Sequence, residues 1–442
     1  MAIPTPTSTT ASPAADSAGS TIPDNAASLQ TFVFALFFVF GGITSLNDVI
    51  IPKLKDLFTL SYAQAMLVQS AFFAAYFVVS IPAAAIVQRI GYMRTAVTGL
   101  VTMAAGCLLF IPASSSGVFA TFLLALFVLA AGITIVQVVA NPLISMLGKP
   151  QTAHSRLTFA QAFNSLGTTV FPYVGAILIL GSLATVDPAT LSGAALDAFR
   201  EEETRVVVHT YIGLAIALLV IAAVVWSQRK KLREQQDRTG NILHAFTLLK
   251  RPRFAMGAAC IFLYVGAEVA IGSLIVTYLM QGSVWNASDV EAGNHVFYYW
   301  GGALVGRFVG AFVLRVAPPG KVLALVAGGA ITLILVSANT TGPVSGWALL
   351  AIGLTNAIMF PTLFSLASQG LGTRAAEGSG VIATAIVGGA IIPWLTGGLA
   401  DLRGLHFALV LPAACYVCIV LFGIYCSATT VPVDPVERPP LA

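Results

Sequence analysis

Twelve long apolar runs dominate this sequence and leave few folds open to it. A hydrocarbon core about 30 Å thick is crossed by about 20 apolar residues in a helix. Because lipid offers no hydrogen bonds to the backbone, such runs span a membrane as helices that satisfy their own peptide groups. The sequence therefore predicts an all-α membrane protein with twelve transmembrane helices. The runs lie near 30–52, 63–87, 93–112, 117–147, 156–180, 206–227, 254–281, 293–315, 321–338, 344–369, 376–400 and 405–427.

The composition excludes a water-soluble protein of this length. Charged residues make up 9% of the 442 residues, whereas soluble domains carry about 25%. The formal net charge of +4 is too small to indicate a nucleic-acid partner. The expected environment is a lipid bilayer.

A polar stretch from Gln228 to Asn241 divides the runs into six and six. The tail before the first run lacks Lys and Arg and does not resemble a secretory signal, which needs a basic start. The predicted organisation has five parts. They are a disordered N-terminal tail (1–28), a six-helix bundle (29–227), a basic cytoplasmic linker (228–253), a second six-helix bundle (254–427) and a C-terminal tail (428–442).

The distribution of Lys and Arg predicts the orientation. With both termini in the cytoplasm, sixteen of the 22 basic residues fall in cytoplasmic segments and five in outer segments, and Arg307 lies within a span. The positive-inside rule favours that arrangement. We expect a multi-pass protein of the cell membrane, the inner membrane in a bacterium, and a monomer.

The two halves repeat each other. Three pairs of residues are separated by nearly constant offsets of 219, 221 and 220 positions. They are Pro142 with Pro361, Pro172 with Pro393, and Asp48 with Glu268. Parallel repeats of this kind are a known plan for transporters, whose substrate site lies between the halves near the middle of the membrane. The repeat predicts two pseudo-symmetric bundles.

Three charged residues stand out within the predicted spans, where burial in lipid is costly and usually indicates function. Asp48 is the predicted protonation site. The alternative is an interfacial acid paired with Lys53 or Lys55. Glu268 is a second candidate for proton or cation coupling. It could equally form an ion pair with Arg307, for which a structural or gating role is expected.

Carboxamides recur at helical spacing in two neighbouring spans. Gln137 and Asn141 are four residues apart, and Gln161 and Asn164 are three apart, so each pair shares a helix face. Carboxamides donate and accept hydrogen bonds at once, as sugar hydroxyls do. Their alternative role is to hold helices together. The predicted substrate-binding residues are Asn47, Gln137, Asn141, Gln161, Asn164 and Asn356.

Other functional classes find little support. The five histidines lie at or near span ends or in loops, and none has a partner at metal-binding spacing. We therefore expect no enzyme activity, no metal site and no cofactor apart from a cotransported proton or sodium ion. No segment is long enough for the soluble domain that a receptor would carry.

Several local strings resemble the major facilitator superfamily and, more narrowly, its fucose–galactose–glucose:proton symporter family. They are LNDVIIPKLKDLFTLSYAQAMLVQSAFFAAYF, ANPLISMLG, RLTFAQAFNSLG, YVGAEVAIGS, GRFVGA and MFPTLFSLA. The resemblance implies two six-helix bundles, alternating access, hexose or deoxyhexose substrates and coupling to protons. It places the family's acid on Asp48 and its sugar-contacting amides on Gln161 and Asn164.

The chain departs from the family at three places. Fucose-transporting members carry a glutamate at the position of Gln137 and an asparagine at that of Ser45. The loop motif RIGYMR lacks the superfamily's aspartate, since Gln88 precedes Arg89. These departures leave a sodium-coupled symporter and an uncoupled sugar facilitator open beside the expected proton symporter.

Overall fold

The structure, a computed structural model, is helical nearly throughout the part of the chain that it describes. It describes residues 26–58, 62–116, 118–175, 193–229 and 242–429. Most of both predicted tails and part of the central linker lie outside these ranges. Every described helix of more than ten residues falls on one of the predicted apolar runs.

In its described residues the N-terminal half contains six α-helices, each longer than 20 residues. They are α1 (Ala26–Phe58), α2 (Tyr62–Ile90), α3 (Tyr92–Ser116), α4 (Phe119–Met146), α5 (Ala153–Gly175) and α6 (Ala194–Gln228). All but α1 and α5 meet a length and hydropathy threshold for crossing a membrane, and α1 adds a shorter apolar stretch, Leu29–Ser45. The sequence of α5 is less apolar because it carries polar residues, including Gln161 and Asn164.

The C-terminal half also has six spans, and three of them are interrupted. The continuous helices are α7 (Pro252–Leu279), α8 (Asp289–Val316) and α9 (Pro319–Asn339). The interrupted spans are α10a and α10b (Gly342–Asn356, Met359–Ala367), α11a and α11b (Ala375–Ala385, Gly388–Arg403), and α12a and α12b (Leu405–Ala408, Val410–Ala428). The break in α10 precedes Pro361, which has no N–H for the carbonyl four residues earlier.

Helix pairing follows the predicted repeat. In the first half α3 packs against α4 and α6, and α1 packs against α5. In the second half α9 packs against α10a and α12b, and α7 packs against α11b. Each pairing in one half has its counterpart six helices later. The two bundles are therefore built on one plan.

The halves meet mainly through two pairs of helices that the repeat makes equivalent, α2 with α11a and α5 with α8, and also through α4 with α11a and α5 with α10b. A 3₁₀ helix of the linker, Ile242–Lys250, packs beside α2, α7 and α11a, with Leu248 fully buried. We call the side of the bundle where this linker helix lies the linker face. Under the predicted orientation it is the cytoplasmic side.

Glycines let the backbones of the paired helices come into direct contact. A Cβ on Gly167 of α5 would lie 2.1 Å from the carbonyl oxygen of Phe38 on α1. A Cβ on Gly388, at the start of α11b, would lie 2.0 Å from the carbonyl oxygen of Phe262 on α7. Small residues at helix contacts are the usual means of close packing in membranes. Both equivalent pairs, α1–α5 and α7–α11b, use them.

Gly388→Ala should destabilise the protein, because the new methyl group meets a backbone oxygen that cannot rotate away. The expected loss in the free energy of unfolding is about 1–3 kcal/mol, measured as a lower midpoint of thermal unfolding in detergent. Gly397→Ala on the same helix is the matched control, since its Cβ would meet nothing within 4 Å. Equal midpoints for the two variants would contradict this packing.

Candidate functional site

Two of the predicted amides meet between α4 and α5. The Nε2 of Gln161 lies 3.5 Å from the Oδ1 of Asn141, and both side chains are buried. Gln137 lies one turn from Asn141, and its Oε1 is buried without a hydrogen-bond partner. These amides form a polar strip on helices that are otherwise apolar.

The fourth amide of this group faces α1. The Nδ2 of Asn164 donates to the backbone oxygen of Phe37 at 3.4 Å, and the side chain is partly exposed. Asn47 and Asp48 lie further along α1, where the structure describes the helical backbone but not the side chains. Their predicted roles in substrate binding and protonation therefore fall outside the described residues.

In the C-terminal half, Asn356 occupies a closed polar cluster at the end of α10a. Its Nδ2 donates to the hydroxyl of Tyr299 at 2.9 Å, and its Oδ1 accepts from the hydroxyl of Tyr416 at 2.7 Å. The side chain has no exposed surface. The structure therefore places Asn356 in the packed interior, and its predicted contact with substrate stays a prediction.

Glu268 joins the same cluster through a third tyrosine. The hydroxyl of Tyr264 lies 2.8 Å from Oε1 of Glu268 and 3.0 Å from the backbone oxygen of Asn356. The hydroxyl of Tyr299 lies 3.4 Å from the backbone oxygen of Glu268. The predicted coupling acid thus sits at the edge of a hydrogen-bond network formed by α7, α8, α10a and α12b.

The ion pair between Glu268 and Arg307, one of the two roles left open for Glu268, is not formed in this structure. Within the described residues no salt bridge of 4 Å or less joins them. Arg307 instead donates from Nε to the backbone oxygen of Ala357 at 3.2 Å. That carbonyl is available because Pro361, four residues later, has no N–H to bond it.

Arg307 also reaches the other half of the protein. Its Nη1 donates to the backbone oxygen of Gln161 at 3.1 Å and to the hydroxyl of Ser165, both on α5. The guanidinium therefore links α8 and α10 to the helix that carries two of the predicted sugar-binding amides. A structural role at the contact between halves fits this geometry.

The equivalent proline of the first half has a similar arrangement. Pro142 cannot bond the carbonyl of Val138, and that oxygen accepts from the hydroxyl of Ser379 on α11a at 2.9 Å. Val138 and Ala357 are 219 positions apart, as Pro142 and Pro361 are. Both carbonyls thus accept from side chains that lie at contacts between the halves.

At the linker face, a buried carboxylate joins both halves and the linker helix. Glu377 on α11a accepts from Gln88 of α2 at 2.7 Å and pairs with Arg374 at 2.6 Å. His244 of the linker helix lies 3.5 Å from the same carboxylate. Sequence reasoning missed Glu377, although Gln88 marked the position where the superfamily's aspartate is absent. In this structure the acid that Gln88 contacts is Glu377, on helix α11a of the other half.

Further contacts between α5 and the C-terminal half lie beside this cluster. His154 contacts the hydroxyl of Ser365, and the hydroxyl of Ser155 donates to the backbone oxygen of Ala311 at 2.6 Å. Arg315 donates from Nε to Ser155 at 3.3 Å. The described hydrogen bonds between the halves therefore run from the linker face up to the level of Arg307.

Comparison with known proteins identifies the family. The sequence matches the Major Facilitator Superfamily over residues 32–393. The chain belongs to the Major Facilitator Superfamily. The fold and the family resemblance expected from the sequence are confirmed.

Relatives of this superfamily member are transporters rather than enzymes. It is 48% identical over 395 residues to the glucose/galactose transporter of Brucella abortus biovar 1, covering 89% of this chain and 93% of the relative. It is 32% identical to the L-fucose-proton symporter of Escherichia coli K12, covering 89% of this chain and 92% of that one. The solved structure of FucP in the outward conformation matches with a TM-score of 0.83 and 30% identity, covering 91% and 99% of the two chains.

The part of the chain that the structure describes contains no group of three or more His, Cys, Asp or Glu side chains able to hold a metal ion. None of the five cysteines forms a disulfide, and four of them are buried. Among the described side chains, the polar groups at this level of the bundle are the amides, the tyrosines, the Glu268 carboxyl and the Arg307 guanidinium.

Tyr416→Phe should destabilise the C-terminal half, because it leaves the buried Oδ1 of Asn356 without its donor. The expected loss in the free energy of unfolding is about 1–3 kcal/mol, measured by denaturant unfolding in detergent. Tyr425→Phe on the same helix is the matched control, since its side chain is only partly buried. A loss for Tyr416→Phe no larger than for the control would argue against the closed cluster around Asn356.

Proposed function

We propose that this protein is a proton-coupled symporter for a hexose or deoxyhexose of the glucose, galactose or fucose type, working by alternating access. The observation that carries the proposal is the 48% identity, over nearly the whole chain, to a glucose/galactose transporter. The likeness to an L-fucose-proton symporter supports the proton as the coupling ion. The protein would act as a monomer in the bacterial inner membrane, with both termini in the cytoplasm.

The amides between α4 and α5 support a sugar as the substrate. Asn141 and Gln161 face each other at 3.5 Å, a long and weak contact that a sugar hydroxyl can replace with two better ones. Gln137 adds an acceptor without a partner. Asn47, Asn164 and Asn356 remain the other proposed contacts.

The contacts at the linker face support a state that is closed on that side. Gln88–Glu377 and Ser155–Ala311 lie on the two equivalent helix pairs, α2–α11a and α5–α8. Both must separate if the halves rock apart toward the cytoplasm. Sugar and proton would bind first from the opposite side. Because they would bind the outward and inward states with different affinities, they would shift the equilibrium between these states.

Asp48 is the proposed protonation site. A carboxyl in a partly desolvated cavity favours its neutral form, so protonation would accompany closure over the sugar. The pseudo-equivalent Glu268 of the second half is proposed to share in coupling.

Asp48→Asn should abolish accumulation of sugar against its gradient while leaving exchange intact, because the loaded carrier already has a neutral residue there. Labelled hexose uptake driven by a pH gradient in proteoliposomes measures the first, and counterflow measures the second. Asp401→Asn, an exposed acid on α11b, should behave like the wild type. Accumulation by Asp48→Asn would refute the assigned role.

Gln161→Ala should weaken sugar binding about tenfold, the effect of losing about 1.4 kcal/mol of hydrogen bonding. The measurement is the sugar concentration that gives half-maximal thermal stabilisation of the purified protein, since a bound ligand raises stability by mass action. Asn339→Ala is the control, because that exposed amide bonds only its own helix at Leu335. An unchanged concentration would remove Gln161 from the binding site.

A sodium-coupled symporter is the second candidate. It is favoured by Gln137, which stands where fucose-type members carry an acid and whose buried Oε1 has no partner. Uptake measured at fixed pH with and without a sodium gradient separates the two ions. Uptake that responds to neither gradient would indicate an uncoupled facilitator.

A further inference from the structure

A buried histidine lies at the start of α5, where the first half meets α10b of the second half. The Nδ1 of His154 contacts the hydroxyl of Ser365, and its Nε2 lies 3.0 Å from Nε2 of Gln369. Both partners belong to α10b. The imidazole is therefore part of the contact between the halves at the linker face.

The other end of the Gln369 amide fixes where the protons lie in this contact. Its Oε1 accepts from Nη2 of Arg253 at 2.5 Å. Because an arginine can only donate, the amide oxygen faces Arg253 and the NH2 group faces His154. The Nε2 of His154 must then accept. The imidazole is neutral in this state, with its proton on Nδ1, where it donates to Ser365.

A protonated His154 does not fit this arrangement. Both nitrogens of an imidazolium are donors, so its Nε2–H would point at the NH2 group of Gln369. Turning the amide over would place that NH2 group against the donors of Arg253 instead. Protonation therefore breaks the link between α5 and α10b.

The surrounding charges oppose a proton on His154 as well. Among the described residues, those that act on it are Arg253 of α7 and Arg156 of α5. On α8, Arg315 bonds the neighbouring Ser155, and the partners on α10b are uncharged. An imidazolium at this position would thus add a positive charge among arginines.

Separation of the halves would remove these obstacles. His154 would leave both partners on α10b and meet water. An exposed histidine binds a proton near pH 6.5. The closed linker face therefore excludes a proton that the open one accepts, and acid shifts an equilibrium toward the state that binds more protons.

We propose that His154 is a pH-sensing residue of the linker face, through which an acidic cytoplasm favours the state open on that side. The proton comes from cytoplasmic water and returns to it when the halves close, so His154 carries none across the membrane. This rests on the proposed function, because it assumes that the halves separate here during transport. A proton symporter acidifies the compartment that it fills, and the return of its empty carriers would slow as that compartment becomes acidic.

The test is the distance between spin labels on the two halves, measured over a range of pH in lipid nanodiscs without sugar. The labels are attached at Lys149→Cys and Lys321→Cys, two exposed positions of the first and second half. Cys418, the exposed native cysteine, is replaced by alanine. The ratio of open to closed distances should rise about tenfold from pH 7.5 to pH 5.5, the effect of one histidine that binds its proton in the open state alone.

His154→Gln keeps an acceptor for the Gln369 amide but cannot be protonated, so most of the rise should disappear. His295→Gln is the matched control. His295 lies at the opposite end of the bundle and bonds Glu291 of its own helix, and its variant should keep the wild-type rise. A rise of wild-type size in His154→Gln overturns the inference, because other groups would then account for it.

Gln369→Glu keeps the inference testable if His154→Gln does not fold. A carboxylate can accept from Arg253 and from a protonated His154 together, so the closed state can hold the proton. Acid should then leave the ratio of distances unchanged or lower it. Opening by acid to the wild-type extent in this variant would also overturn the inference.

The distances are measured without substrate, which separates this inference from the proposed function. The proposed function fails if the wild-type protein exchanges no hexose. The inference fails if the distances do not respond to pH through His154, whatever the protein carries.

Discussion

The constraint on which this structure depends is that lipid leaves polar groups to find their partners within the protein. Two prolines each break a helix hydrogen bond, and the freed carbonyls at Val138 and Ala357 take Ser379 and Arg307 as donors. Ser379 and Arg307 lie where the two halves meet. The side chains that satisfy these backbone carbonyls therefore also take part in the contact between the halves. Movement of one half against the other must exchange these partners for others.

Much of the fold could be predicted from the sequence, because span length and hydropathy are set by the bilayer rather than by details of packing. The spacing within each amide pair also predicted one polar face on α4 and one on α5, and the structure brings Asn141 and Gln161 of these faces within 3.5 Å of each other. Which group each polar side chain bonds could not be predicted in this way. Arg307 bonds Ala357 instead of Glu268 because Pro361 frees that oxygen, and only three-dimensional proximity reveals the contact.

The linker-face cluster shows a second limit. Gln88 marks a missing aspartate in the sequence, but nothing in the chain order indicates that Glu377, 289 positions later, supplies the acid. The hydrogen bonds of the tyrosines around Asn356 could not be predicted either, because an aromatic residue in an apolar span is usually interpreted as a packing residue. In membrane proteins the polar partners of a site come from distant segments, whereas each span can be recognised from its own consecutive apolar residues.

The interruptions of α10 and α11 give the two bundles different mechanical properties. In the first half, α4 and the described length of α5 run without a break despite Pro142, whereas in the second half the equivalent spans are jointed at 357–358 and 386–387. Each joint lacks part of the hydrogen-bond ladder that stiffens a helix. We therefore expect the second half to bend at these joints more readily than the described helices of the first half, so that two bundles built on one plan would contribute unequally to the movement.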